Sequence, residues 1–175
     1  MKPRVAAMAV TLAVAGLALP RPALAVTADW WHGNYPLLLD YGCTTFELEP
    51  VDSRFNCPPG WRAHEAIDMG MPVGTPIFAG LPGTVTEVGG GESHDYGPNY
   101  VKVWLDEGHD VNLGHLSKAL VHVGQRLAYG APIGFSGDLG VTNAPNLDFS
   151  VRPHGGSAYT SINPAPFLDA PARRD

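Results

Sequence analysis

Three short stretches of this 175-residue chain carry side chains that hold metal ions or move protons. His64-Glu65-Ala-Ile-Asp68 offers an imidazole and a carboxylate, Gly114-His115-Leu-Ser117 a second imidazole, and Asn146-Leu-Asp148-Phe149 an amide and a second carboxylate. Imidazole nitrogen and carboxylate oxygen are standard ligands of zinc, and histidine is the side chain that titrates closest to neutrality. The His-x-x-x-Asp spacing would put two ligands one turn apart on a helix. That geometry is ruled out by Pro58-Pro-Gly60 before it and Gly70, Pro72 and Gly74 directly after it, which stop a helix. His64 is therefore expected at a strand end and Asp68 in the following loop, with Ile67 turned to the core and Glu65 away from His64. Taken alone, the pair also fits a hydrogen-bonded surface pair.

The elements that must position these groups are short β-runs separated by Gly and Pro. Strands are expected over 75–79, 83–88, 100–105, 110–113, 120–123, 132–136 and 147–151, from their length, alternation and β-branched content. Leu81-Pro-Gly83, Gly89-Gly-Gly91, Glu107-Gly-His109, Val123-Gly-Gln125, Tyr129-Gly-Ala131 and Ser136-Gly-Asp138 are the turns between them. No segment has a convincing amphipathic helical pattern. The expected fold is mainly β: an antiparallel core of two sheets or a partly open barrel, with a groove. In the last run Leu147, Phe149 and Val151 form the core stripe, so Asn146, Asp148 and Ser150 share the opposite face.

The order of these motifs resembles the lysostaphin/LytM-type zinc metalloendopeptidases. The resemblance rests on His64-xxx-Asp68, Gly74-Thr-Pro-Ile-Phe-Ala79, Gly83-Thr-Val, Tyr100-Val-Lys-Val, Gly114-His115-Leu-Ser117, Val123-Gly-Gln-Arg-Leu-Ala-Tyr-Gly130, Ile133-Gly-Phe-Ser-Gly137 and Leu147-Asp-Phe-Ser-Val-Arg152. It covers roughly residues 60 to 168. It implies a small β core with a groove, one zinc ion held by His, Asp and His, and cleavage of peptide cross-links in bacterial cell walls. On that resemblance His64 and Asp68 match the first two zinc ligands, and His115 a groove histidine that positions water or stabilises an oxyanion. The family's final His-x-His supplies a catalytic histidine and then the third ligand. Asn146 and Asp148 stand at those two positions.

That departure changes the chemistry the resemblance implies. A carboxylate binds zinc, so His64, Asp68 and Asp148 form a candidate triad. It cancels the formal charge of the ion, where His-Asp-His leaves about +1, so a bound water is acidified less. An oxygen-rich set also discriminates less against manganese, magnesium or calcium. Asn146 cannot exchange a proton, although its amide can donate to an oxyanion. Loss of a general acid/base commonly costs about 100-fold to 10,000-fold in rate. The expectation is a domain with impaired catalysis that binds peptidoglycan peptides or regulates a hydrolase. The alternative is an active metalloendopeptidase with a His/Asp/Asp site.

Residues 1–25 read as a secretory signal peptide, with basic Lys2 and Arg4, an uncharged apolar run over 5–19, and a small-residue end at Ala23-Leu-Ala25. Its removal leaves eight of the 11 basic residues against all 17 acidic ones, a net charge of −9. That balance excludes a phosphate-neutralising nucleic-acid surface, and no later stretch would span a membrane. Secretion, with the protein extracellular or wall-associated, places Cys43 and Cys57 in an oxidising compartment that favours their pairing. A bridge closing ~15 residues contributes on the order of 3 kcal/mol. The expected organisation is a lead-in over 26–59, whose Trp30, Trp31 and Tyr35 pack on the domain, a core over 60–168 and a disordered tail over 169–175.

Other candidates rank lower. His109 and His122 read as surface residues, while His94, Asp95 and His154 are reserve groups near the groove mouth. Gly83-Thr-Val-Thr-Glu-Val88 with Val123-Gly-Gln-Arg-Leu-Ala-Tyr-Gly130 also resembles lipoyl- and biotinyl-carrier barrels. Neither Lys102 nor Lys118 sits in the hairpin-tip context that a carrier lysine needs.

Overall fold

The β-runs pair into one large sheet, one small sheet and a two-stranded ladder in the computed structural model, which describes residues 29–90, 93–157 and 160–168. The segments expected to be a signal peptide and a terminal tail lie outside the described residues. In chain order the strands are β1 (Leu37–Leu39), β2 (Gly42–Thr44), β3 (Arg62–His64), β4 (Ile67–Met69), β5 (Pro76–Phe78) and β6 (Gly83–Val88). They continue as β7 (Val101–Leu105), β8 (His109–Gly114), β9 (Lys118–Ala119), β10 (Arg126–Leu127), β11 (Pro132–Phe135) and β12 (Leu147–Pro153). The large sheet runs β1-β4-β12-β8-β7-β6-β10, the small one β5-β11-β9, and β2 pairs with β3. All of these pairings are antiparallel. One α-helical turn, α1 (Ser93–Tyr96), interrupts them, and no helix among the described residues is long and apolar enough to cross a membrane.

Alternation on the four long strands builds the core. Val85 of β6, Val101, Val103 and Leu105 of β7, Val111 and Leu113 of β8, and Leu147, Phe149 and Val151 of β12 are buried on one face. They form a single cluster with Ile77 and Ile133 of the small sheet. Burying a Val, Leu or Ile side chain contributes about 1.5–3 kcal/mol each, so this seam holds the two sheets together. The opposite face of β12 is also covered, since Asp148, Ser150 and Arg152 are buried. Arg152 reaches the Tyr96 hydroxyl with Nη2 at 2.9 Å, and Asn112 donates to Ser150 at 3.2 Å.

The lead-in docks as expected. Trp30 and Trp31 are buried and meet the Phe149 ring edge-on, at 5.0 and 6.4 Å between centroids. Trp30 also donates its indole N–H to the Phe167 carbonyl at 2.8 Å, and its own carbonyl accepts from Phe78 at 2.9 Å. Gly80 makes room for it, because a Cβ there would lie 2.6 Å from the indole nitrogen. Ile162 bridges to Val151 of β12, which anchors the C-terminal stretch.

Two sequence expectations differ from the structure. The run over 120–123 is not a strand; Lys118–Ala119 takes the ladder position on β11 instead, with Val121 buried and Leu120 and Val123 exposed. Gly124, at φ +85°, turns the chain directly after it. Asp68 lies in strand β4 rather than in a loop. The three-residue strands β1 to β4 are too short to show a period, so only their partners define them.

Trp30→Ala should lower the unfolding free energy by about 3–5 kcal/mol, the usual cost of deleting a buried aromatic ring, read from the urea midpoint at constant m-value.

Candidate metal centre

The centre is built on the register of two neighbouring strands. In the β4–β12 ladder Asp68 stands directly opposite Asp148, which sets two carboxylates side by side on one sheet face. Like charges directly opposite across a ladder are destabilising unless a cation lies with them. His64, at the end of β3, supplies the first compensation: its Nε2 stands 3.6 Å from Asp68 Oδ1 and 3.9 Å from Asp148 Oδ2. Donor atoms of the three residues all lie within 4.8 Å of one another.

These separations exceed hydrogen-bond length. They suit an ion between them, since ligand atoms ~2.1 Å from one tetrahedral centre stand about 3.4 Å apart. Asp68 Oδ1 and Asp148 Oδ1 are buried and have no hydrogen-bond partner. A buried oxygen without a donor is costly, and a cation removes that cost. The His64 Nδ1 lies 3.1 Å from the Asp40 carbonyl, a contact that places a proton on Nδ1 and turns Nε2, the atom that would bind a metal, toward the carboxylates. The donor set therefore fits a divalent metal: His64, Asp68 and Asp148 would hold it.

The electrostatics of the metal-free cluster agree. Burial resists protonation of His64, but the polar contact with Asp68 and the charges of Asp68, Asp148 and Glu49 outweigh it and push the imidazole up to about 9. Burial, reinforced by Asp68, drives the Asp148 carboxyl well above the usual carboxylate range, against the pull of His64.

His115 faces the same cavity of about 490 Å³, which is also lined by His64, Asp68 and Asp148. It follows β8 in the left-handed conformation, at φ +61°, a strain on the order of 1–3 kcal/mol that surrounding structure must hold. Its N–H donates to the Tyr96 carbonyl at 2.6 Å, and its Nδ1 meets the Leu139 carbonyl at 2.7 Å. This leaves Nε2 free toward the cavity. Burial lowers its pKa, more than the Leu139 bond raises it, so the ring is neutral near pH 7. Gly114 beside it has to be glycine, since a Cβ would lie 2.8 Å from the Tyr96 ring and 3.0 Å from Asp148 Cβ.

Asn146 lies just before β12 and bridges to Gly137. Its Nδ2 donates to Thr142 Oγ1 at 2.8 Å and to the Ala144 carbonyl at 3.2 Å. Because a carbonyl only accepts, the atom facing Ala144 must be the nitrogen. Both amide protons are thus engaged, and the expected donation to an oxyanion is not open. Asn146 lines an adjoining cavity with Asp68.

Residues that sequence reasoning missed form the remaining wall. Phe46, Leu48, Glu49, Val51 and Asp52 line the cavity from a segment closed by the Cys43–Cys57 disulfide. Arg54 pairs with both Asp52 and Glu65. Glu65 is held by Arg54 and not by His64, from which it was expected to turn away, and it lines the groove. Burial raises the Glu49 carboxyl, against the pull of His64. The cysteine spacing was the one available signal for this wall. Asp95 reaches the mouth, paired with His94 at 2.8 Å. His154 pairs with Asp110 at 2.8 Å and stacks on Trp104, while His109 pairs with Glu107 at 2.9 Å.

Comparison with known proteins places this geometry. The pattern of peptidase family M23 matches residues 62–164. The chain belongs to that family. It is 30% identical over 122 residues to peptidoglycan DD-endopeptidase ShyA of Vibrio cholerae, covering 63% of this chain and 28% of that protein. Glycyl-glycine endopeptidase ALE-1 of Staphylococcus capitis is 37% identical over 106 residues, 60% of this chain and 29% of that one. This M23 chain thus spans less than a third of the length of these relatives. Among solved structures, the catalytic domain of lysostaphin from Staphylococcus simulans superposes with a TM-score of 0.62 at 30% identity, covering 77% of this chain and 92% of that domain. The mainly β, antiparallel fold is the one expected for the family.

Zinc at about 100-fold over its Kd should raise the unfolding free energy by about 2.7 kcal/mol. Asp148→Asn, which keeps shape but removes a ligand charge, should abolish most of that gain, as measured by thermal melts with and without zinc.

Proposed function

We propose that this M23 domain is directed at cell-wall peptidoglycan, holds a divalent metal, with zinc the first choice, through His64, Asp68 and Asp148, and has an impaired hydrolytic step. Its main role is then to bind peptidoglycan peptides or to regulate a hydrolase. The observation that carries the metal part is the facing of Asp68 and Asp148 with buried oxygens lacking partners beside His64. Zinc, when bound, supplies Lewis-acid polarisation of a peptide carbonyl. His64 is fixed by Asp40 in the tautomer that binds metal, and Asp148 lowers the net charge of the centre relative to a histidine there. His115 presents a neutral imidazole Nε2 to the groove, able to donate to or accept from a polarised group. Asn146 supports the impaired reading, since it can neither take nor give a proton and its amide protons are held by Thr142 and Ala144. We further read residues 1–25 as directing export and 60–168 as the peptidase-like core.

The second reading is an active metalloendopeptidase in which His115 alone serves the reacting groups. What favours it is the location of His115 in the same cavity as the triad.

Metal analysis beside activity on peptidoglycan peptides separates the two. The parent should carry about one metal per chain with little hydrolysis, and Asn146→His/Asp148→His should gain on the order of 100-fold or more in rate, the usual worth of a general acid/base. Efficient zinc-dependent cleavage by the parent would instead establish the second reading, and a parent that binds no metal near neutral pH would remove both.

A further inference from the structure

One wall of the groove lies outside the stretch that matches the family. The match begins at residue 62, yet Phe46, Leu48, Glu49 and Val51 line the cavity above the triad. Residues 44–48 also line the adjoining cavity of about 780 Å³. This wall is fixed at three points. The Cys43–Cys57 disulfide closes it, Arg54 ties Asp52 to Glu65 on the family-matched side, and Ala63 donates its N–H to the Pro50 carbonyl at 2.9 Å. A loop ordered before a ligand arrives spares the complex that ordering entropy.

Its chemistry is specific. Asp52 and Glu65 share Arg54, and Asp68 and Asp148 face His64. The Glu49 carboxylate has no hydrogen bond or ion pair among the described residues, and no lysine or arginine among them lines either cavity. Around it Leu48 and Val51 are 55% and 74% exposed, and Val141 across the groove is 44% exposed. Aliphatic groups left in water beside a half-buried carboxylate that no lysine or arginine meets complement a ligand that pairs an apolar side chain with a cation. A carboxylate-bearing segment would be repelled there.

We propose that the disulfide-closed segment 44–56 is the specificity wall of the groove, and that Glu49 on it selects peptides carrying a free amine next to an aliphatic side chain. This deepens the peptide-binding reading and rests on it. Burial raises the Glu49 carboxyl, against the pull of His64, and an ammonium beside it would form a charge-assisted hydrogen bond.

The test uses trialanine amide with a free α-amine and its N-acetylated counterpart, titrated calorimetrically into the zinc-loaded protein. The free-amine peptide should bind about tenfold more tightly, the usual worth of one hydrogen bond to a charged group. Glu49→Gln, titrated at saturating zinc, should bring the ratio to about one, and Leu48→Ser should weaken both peptides alike. Cys43→Ser/Cys57→Ser, with folding checked by circular dichroism, should lose most of the preference. Equal binding of the two peptides by the parent, or a ratio that survives Glu49→Gln, overturns the assignment of Glu49. Failure of both peptides to bind the zinc-loaded protein overturns the peptide reading itself, and the wall with it.

Discussion

The structure turns on one cross-strand contact, the facing of Asp68 and Asp148 in adjacent antiparallel strands. Two carboxylates at that spacing, Asp148 buried and Asp68 half-buried, repel each other unless positive charge lies between them or one takes up a proton. Every neighbouring feature serves that requirement. β3 ends where His64 can reach both acids, the Asp40 carbonyl orients its ring, and Gly114 leaves the space that Asp148 and Tyr96 occupy. A cation held between them would therefore act on the stability of the sheet as well.

The departures from the family pattern have different physical consequences. Asp148 keeps an anionic oxygen beside Asp68 and His64, so it could still serve as a ligand, to a centre of lower net charge. Asn146 keeps polarity without basicity, and Thr142 and Ala144 draw its amide into the loop that precedes β12. A site altered in this way can retain recognition while its reaction is slowed, because binding and proton transfer depend on different atoms.

Much of this was legible before folding was considered. The long strands β6, β7, β8 and β12 announce themselves by alternation, and Phe149 and Asp148 are assigned to opposite faces by parity alone. The short strands were not legible. Three residues such as Ile67–Met69 have no period to read, and Asp68 becomes a strand residue only because β1 and β12 flank it. The groove wall was hidden for a different reason, since Phe46, Leu48 and Glu49 have no strand or helix pattern and take their places from a disulfide and an arginine bridge. The amide orientation of Asn146 depends on Thr142 and Ala144, neighbours whose significance no spacing reveals.

Asp68 and Asp148 are 80 positions apart in the chain, and between them lie most of the strands that hold them together. An unfolded or half-folded chain offers no such pair. A pairing this distant forms late, after the loop-closure entropy of the intervening sheet has been met. Metal capture at this centre would consequently report a completed topology. During maturation the ion would discriminate folded molecules from unfinished ones, because only the finished register presents both oxygens at once.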